Sequence, residues 1–396
     1  MPYITVKDTP QFKQISMEDL INELLAGYVE PERFTPKRNA PSSTRTYFHP
    51  SLTREMEDKC DVTRLTLILR AFCERHQALY DVPDRARLYL HYEIPKDHPN
   101  PETGIIEMRP IDAPKPELKQ AQYELKSILE NEFGALYHTS AFAYIPNRCC
   151  VDSVRRHQAN QSWWFLKTDF SNFFGSTTPE FVHSMLRMIY PFSELYKYPA
   201  GEAAMVQAMD LCFLNGGLPQ GTPISPMLTN LMMIPIDHRL ANTLTKWTDG
   251  KHYVYTRYAD DILISSKYKF NYEEVVAYIN DTLRSFHAPF AIKDSKTRFG
   301  SRNGHNVNLG VVLNAQNEIT IGHKKKESFR GMLTDYIRAK QNHESWSLPE
   351  VQSLYGLYTY YANLEPDFWQ RTVERMNRKY RCDLVSMMKE DVSGRH

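Results

Sequence analysis

Apolar positions along the chain follow two rhythms. Spacings of three and four residues mark helices, and short runs of β-branched and aromatic residues mark strands. The helical rhythm starts at residues 17–25, with Ser16 as a candidate N-cap. It returns at 62–80, where Leu65, Leu67, Ile68, Ala71 and Phe72 are apolar. Residues 31–43, rich in Pro, Arg, Lys and Ser, read as a loop or extended arm between them. Further helices are expected at 116–133, at 150–157, after Thr178 with Pro179 in first position, at 226–240 and at 272–286. Beyond Lys324, three more are marked by Phe329, Leu333 and Ile337, by Val351, Leu354 and Tyr358, and by Phe368, Trp369 and Val373. The strand rhythm predicts a buried strand at 164–168 ending on Asp169, a hairpin of 253–258 with 262–266, and a second hairpin of 307–314 with 318–322. Residues 107–119 are extended and punctuated by proline, and 215–226 carry too many Gly and Pro residues for regular structure.

Composition narrows the class. A chain of 396 residues holds two or three subdomains, and 42% apolar with 24% charged residues is ordinary for a globular protein. The sequence has no run of eighteen apolar residues, and its N-terminus lacks an apolar signal core, so a cytoplasmic protein without a membrane partner is expected. Six cysteines without CxxC spacing point to a reduced chain without structural zinc. A net charge of +1 neither demands nor excludes a nucleic-acid partner, because local patches decide that. The 24 tyrosines suit a core and also suit base stacking.

The chemistry gathers around Asp260 and Asp261, adjacent carboxylates between two apolar strands. An isolated Asp-Asp pair is most often a solvated turn. Buried, the pair needs neutralising cations, and carboxylates are the hard oxygen ligands that Mg²⁺ prefers. Asp169 at the end of the preceding strand supplies a third carboxylate. The loop Asn215-Gly216-Gly217-Leu218-Pro219-Gln220-Gly221 lets backbone approach a substrate, with Gln220 free to bond a base or backbone. Arg109, Lys115 and Lys119 stand on a stiff arm that could clamp a triphosphate, and Lys296 could serve departing pyrophosphate. His157 reads as a hydrogen-bonded core histidine rather than a catalyst. Lys324, Lys325, Lys326, Arg378 and Lys379 give the C-terminal helices cationic edges that could grip a duplex, or simply be solvated. Together these parts fit two-metal phosphoryl transfer, with ions about 3.5–4 Å apart.

From about Arg109 to Tyr380 the chain resembles a reverse transcriptase of the bacterial retroelement type. The specific parts are Tyr258-Ala259-Asp260-Asp261, the stretch Leu218-Pro219-Gln220-Gly221-Thr222-Pro223-Ile224-Ser225-Pro226, and Asp169-Phe170-Ser171-Asn172-Phe173-Phe174, in that family's order. The resemblance implies an α+β right-hand polymerase: a helical N-terminal extension (1–80), fingers (81–160), a palm with an antiparallel sheet (161–300), a primer-grip hairpin (301–323) and a helical thumb with a C-terminal tail (324–396). It implies that Asp169, Asp260, Asp261 and the Phe170 carbonyl hold two Mg²⁺ ions. Phe174 would exclude a ribose 2′-hydroxyl. Arg109, Lys119, Gln220, Gly221 and Tyr258 would meet the nucleotide, and Lys296 the leaving group. Deoxynucleotides, a structured non-coding RNA template and a DNA product follow, with an effector or second protein as a further partner. The resemblance is closest to retron enzymes, in a retron-like or antiphage setting. Two departures stand out: Ser153-Val154-Arg155-Arg156-His157 keeps only the histidine of a retron motif, and Asn308-Leu309-Gly310 replaces Val-Thr-Gly. Untemplated or protein-primed DNA synthesis on the same fold is the nearest alternative, and an inactive RNA-binding relic is the alternative from another class.

Overall fold

The computed structural model describes residues 61–96, 104–133, 137–246, 252–303 and 307–394. The helix expected at 17–25 and the arm at 31–43 lie outside the described residues.

A four-stranded antiparallel sheet is the centre of the molecule. Its strands are β3 (Trp164–Asp169), β4 (Val254–Tyr258), β5 (Asp261–Ser266) and β6 (Arg298–Ser301), in spatial order β4-β5-β3-β6. The hairpin and the Asp169 strand expected from sequence are therefore neighbours. Both faces are covered, which is why β5 reads as a continuous apolar run. Leu166, Ile262 and Ile264 point into the main core, while Phe165 and Leu263 point the other way into a smaller cluster.

The main core is closed by helices whose ends follow local rules. Helix α1 (Val62–Arg75) is capped by Asp61, which accepts from the Arg64 N–H at 2.9 Å. The short α2 (Gln77–Tyr80) continues it. A two-stranded ribbon, β1 (Tyr89–Pro95) with β2 (Met108–Pro114), follows, and α3 (Pro116–Asn131) starts on a proline. Helix α4 (Cys150–Ala159) packs beneath the sheet. Helix α5 (Pro179–Leu186) has the expected Thr178 cap. Helices α6 (Phe192–Leu195) and α7 (Pro199–Asp210) complete this side. The helix expected at 226–240 is two: α8 (Ser225–Met232) and α9 (Ile234–Lys246), parted where Pro235 lacks a donor and clashes with a continuing helix. Helix α10 (Tyr272–Ser285) matches its apolar stripe.

The hairpin expected at 307–322 is instead three short strands. They are β7 (Val307–Asn308), β8 (Val311–Leu313) and β9 (Ile319–Thr320). Leu309 and Gly310 both take positive φ, 53° and 86°, and turn the chain inside what reads as one apolar run. The C-terminal bundle has its own core around Phe329, Leu333, Leu354 and Trp369. It contains α11 (His323–Gln341), α12 (Leu348–Leu364), α13 (Pro366–Tyr380) and a fourth helix, α14 (Leu384–Ser393), not anticipated from the sequence.

Candidate active site

The turn between β4 and β5 consists of Ala259 and Asp260, with Tyr258 opposite Asp261 as the last ladder pair. Ala259 adopts φ 56°, the left-handed region that suits the twist of a two-residue hairpin but is uncommon for a residue with a side chain. Asp261 lies directly across from Asp169, and the Phe170 N–H donates to the Asp260 carbonyl at 3.2 Å. Three carboxylates thus meet at one end of the sheet, although 91 residues separate Asp169 from Asp260.

Their electrostatic settings differ. Asp169 is buried: one oxygen pairs with Lys296, while Oδ1 has no hydrogen-bond partner in the structure. The Asp260 carboxyl is held above the ordinary range by burial and then by the neighbouring charges of Asp261 and Asp169. Burial works against the Lys296 charge, but the Asp169 hydrogen bond and the surrounding carboxylates outweigh it and raise its pKa. Asp261 turns aside, with Oδ1 3.4 Å from Lys167 Nζ, and lines a small recess with Tyr258, Ser153 and Leu309. Among the described residues, no three His, Cys, Asp or Glu side chains close into a ready metal cage. The donor set still fits a hard cation. It is all oxygen, one buried carboxylate oxygen is unpaired, and Asp260 carries a like-charge penalty that a cation relieves.

Asp169 and Asp260 open onto a cleft of about 1000 Å³. Arg109, Phe170, Phe174, Gln220, Gly221 and Lys296 line it too, so most of the sequence candidates converge. Tyr258 does not: it lines the recess around Asp261. Lys119 sits exposed on α3 and is not among the residues lining the cleft, because the helical turn after β2 carries it away. The 215–226 loop is held in place by close backbone contacts. A Cβ on Gly217 would lie 2.1 Å from the Gly175 carbonyl, and one on Gly221 (φ 107°) would lie 2.7 Å from Ile111. The Asp112 N–H donates to the Gln220 carbonyl at 2.7 Å and the Leu218 N–H to the Phe174 carbonyl at 3.1 Å.

Beneath the hairpin, His157 is fully buried and hydrogen-bonds Thr256 at 2.8 Å and Ser265 at 2.5 Å. Burial lowers its pKa to about 3, so it is a neutral core residue, as expected. The C-terminal cations divide. Lys324, Arg378 and Lys379 are exposed. Lys325 donates to the Gly310 carbonyl at 2.9 Å. Lys326 pairs with Glu365 and sits 4.1 Å from the Phe368 ring centre, so it is engaged within the bundle and is not an open cation. Sequence reasoning missed Lys167, Lys293, Arg298 and Tyr144. Lys167 had a signal: it lies two residues before Asp169, hence on the same strand face.

The family described as reverse transcriptase (RNA-dependent DNA polymerase) matches residues 94–331, more than half of the chain. The chain belongs to the reverse transcriptase family. Its α+β architecture and RNA-directed DNA polymerase activity follow from that membership. The retron Ec83 reverse transcriptase of Escherichia coli is 25% identical, covering 80% of this chain and 95% of that one. The retron Ec73 reverse transcriptase of the same species is 26% identical over 69% of this chain and 83% of that one. The retron Mx162 reverse transcriptase of Myxococcus xanthus reaches 32% identity over 46% of this chain and 36% of that one. Among solved structures, a Candida albicans telomerase aligns with a TM-score of 0.42 at 10% identity, covering 84% of this chain and 67% of that one. No helix among the described residues is long and apolar enough to cross a membrane.

Proposed function

We propose that this reverse transcriptase copies a dedicated, structured non-coding RNA into DNA as the enzyme of a retron-type bacterial element, acting in the cytoplasm. The observation that carries the site assignment is the convergence of four distant segments on one cleft: Asp169 to Phe174, Gln220 with Gly221, Asp260, and Lys296. In this reading residues 81–160 act as fingers, 161–300 as palm, 301–323 as primer grip and 324–396 as thumb. Asp169, Asp260, Asp261 and the Phe170 carbonyl would hold Mg²⁺. Bound there, the ions would supply Lewis-acid activation of the primer hydroxyl and charge neutralisation of the leaving group. The chain's own cations act on the phosphates. Arg109 reaches into the cleft from the β2 arm, and Lys296, already drawn to the carboxylates, lies where a departing pyrophosphate needs charge or a proton. Phe174 presents its ring to the sugar, and Gln220 with Gly221 supplies close backbone approach to the incoming nucleotide and template.

The retron names of the relatives support a dedicated template, and the exposed cations of the C-terminal bundle support duplex binding. Sequencing nucleic acid that co-purifies from the native locus tests this reading. Discrete DNA complementary to a neighbouring non-coding RNA, absent from the Asp260→Ala/Asp261→Ala protein, is the expected result. DNA of scattered genomic sequence would point to a general-template enzyme and refute the dedicated template.

A further inference from the structure

One buried charge cluster lies beside the catalytic turn but outside the cleft. Arg257 and Asp237 are both fully inaccessible to solvent. The Arg257 guanidinium donates Nε to Asp237 Oδ1 at 2.9 Å and Nη2 to Oδ2 at 2.8 Å. Nη2 also reaches Asn230 Oδ1 at 3.2 Å, and the Tyr255 hydroxyl donates to Asp237 Oδ1 at 2.6 Å. The remaining nitrogen is the informative one: Nη1 donates to the carbonyl of Ala259 at 2.9 Å.

That carbonyl belongs to the peptide joining Ala259 to Asp260. The peptide on the other side of Asp260 is also held, since its carbonyl accepts from the Phe170 N–H at 3.2 Å. Asp260 therefore sits between two fixed peptide planes, one tied to α8 and α9 through Arg257 and one tied to the Asp169 segment. The first follows a residue at φ 56°, a conformation uncommon for a residue with a side chain. The Arg257 main chain is pinned as well, its N–H donating to the Ser140 carbonyl at 2.7 Å and its carbonyl accepting from the Phe142 N–H at 2.9 Å.

A buried ion pair is a poor way to add stability, because apolar residues of equal volume commonly serve as well or better. What such residues lack is a donor for the Ala259 carbonyl. We propose that Arg257 is a positioning residue for polymerisation: its guanidinium, oriented by Asp237 and Asn230, fixes the peptide ahead of Asp260 and so sets the Asp260 carboxylate against Asp169. This rests on the assignment of Asp169 and Asp260 as metal-binding residues. The planar fork is essential to the role, since the single ammonium of a lysine does not hold Asp237 and the Ala259 carbonyl in the same geometry.

The test separates positioning from scaffolding by comparing Arg257→Met/Asp237→Leu, Arg257→Lys and the parent. The full chain is titrated with Mn²⁺ by paramagnetic resonance, melted, and assayed for primer extension against Mg²⁺ and deoxynucleotide concentration. In both variants the dissociation constant for Mn²⁺ and the half-saturating Mg²⁺ should rise about tenfold or more, and kcat should fall, while the nucleotide KM moves less than about twofold. The double variant should melt within a few degrees of the parent. Parental Mn²⁺ binding in a folded double variant would overturn the proposal. If the double variant fails to fold, parental Mn²⁺ binding in Arg257→Lys would overturn it equally. A parent that binds Mn²⁺ but extends no primer would instead count against the polymerase reading, and the Mn²⁺ comparison would still decide the role of Arg257.

Discussion

Phe174 lies on the cleft wall one residue before the glycine whose carbonyl meets Gly217. Trimming it should admit a 2′-hydroxyl. Phe174→Ala is expected to narrow the preference for deoxynucleotides over ribonucleotides by about ten- to a hundredfold, read as the ratio of the two kcat/KM values. An unchanged ratio would remove Phe174 from sugar selection. His157 ties stability to pH. Its pKa falls from 6.5 in a free side chain to about 3 in the fold. The unfolded chain therefore binds the extra proton first. The stability contributed by the neutral ring is complete above about pH 6.5 and is lost as pH drops towards 3. From this group alone the loss at about pH 4.5 is on the order of 2–3 kcal/mol. Urea unfolding of the parent and of His157→Gln at both pH values should show a smaller pH difference in the variant; equal differences would refute the assignment. At this scale the sequence was most legible where chemistry is local. Asp169, Asp260 and Lys296 were readable from motif and strand rhythm. Asp237 and Arg257 were not, because each alone looks like an ordinary charge on a helix or strand, and only the fold makes them partners.

Element boundaries follow the same division. The β4–β5 hairpin, β3 and most helices stand where apolar spacing and caps put them. The misses have physical causes: Pro235 splits a continuous apolar stripe, Leu309 and Gly310 turn a run that looks like one strand, and β1 carries exposed Leu90, Tyr92 and Ile94 on a ribbon whose pairing partner lies across residues 97–103. Loop packing was also invisible from sequence. The glycines of 215–226 read as room for a substrate to approach the backbone, yet Gly217 is an internal contact point: its absent side chain lets two loops touch. Gly217→Ala should force the Gly175 carbonyl away, at a cost of about 1–3 kcal/mol. Thermal melting should fall by several degrees, with polymerase activity reduced at temperatures where the variant is still folded, since Phe174 and Gln220 move with the loops. A variant with the parental melting point and rate would show that the loops yield freely.

Across the whole molecule, one cleft gathers segments from Arg109 to Lys296, and the C-terminal bundle adds a separately cored body with exposed cations. If that bundle grips a template–product duplex, its exposed and internal cations should behave differently. Arg378→Ala with Lys379→Ala should weaken duplex binding and lower the slope of log affinity against log salt, by about one for each phosphate the variant no longer neutralises. Lys326→Ala should instead lower the melting temperature, because it removes the ion pair to Glu365 and the packing on Phe368, and leave the salt slope unchanged. Identical slopes in parent and both variants would move the duplex to another face.

The proposed seat of RNA-templated DNA synthesis is the Asp169, Asp260 and Asp261 end of the sheet. Primer extension on a defined RNA template with labelled deoxynucleotides and Mg²⁺ tests it most directly, comparing the parent with Asp260→Ala/Asp261→Ala. Complementary DNA is expected from the parent, with a loss of about a thousandfold or more in the variant and RNA binding retained. Equal synthesis by the two proteins, or RNA bound by both with no DNA made by either, would contradict it.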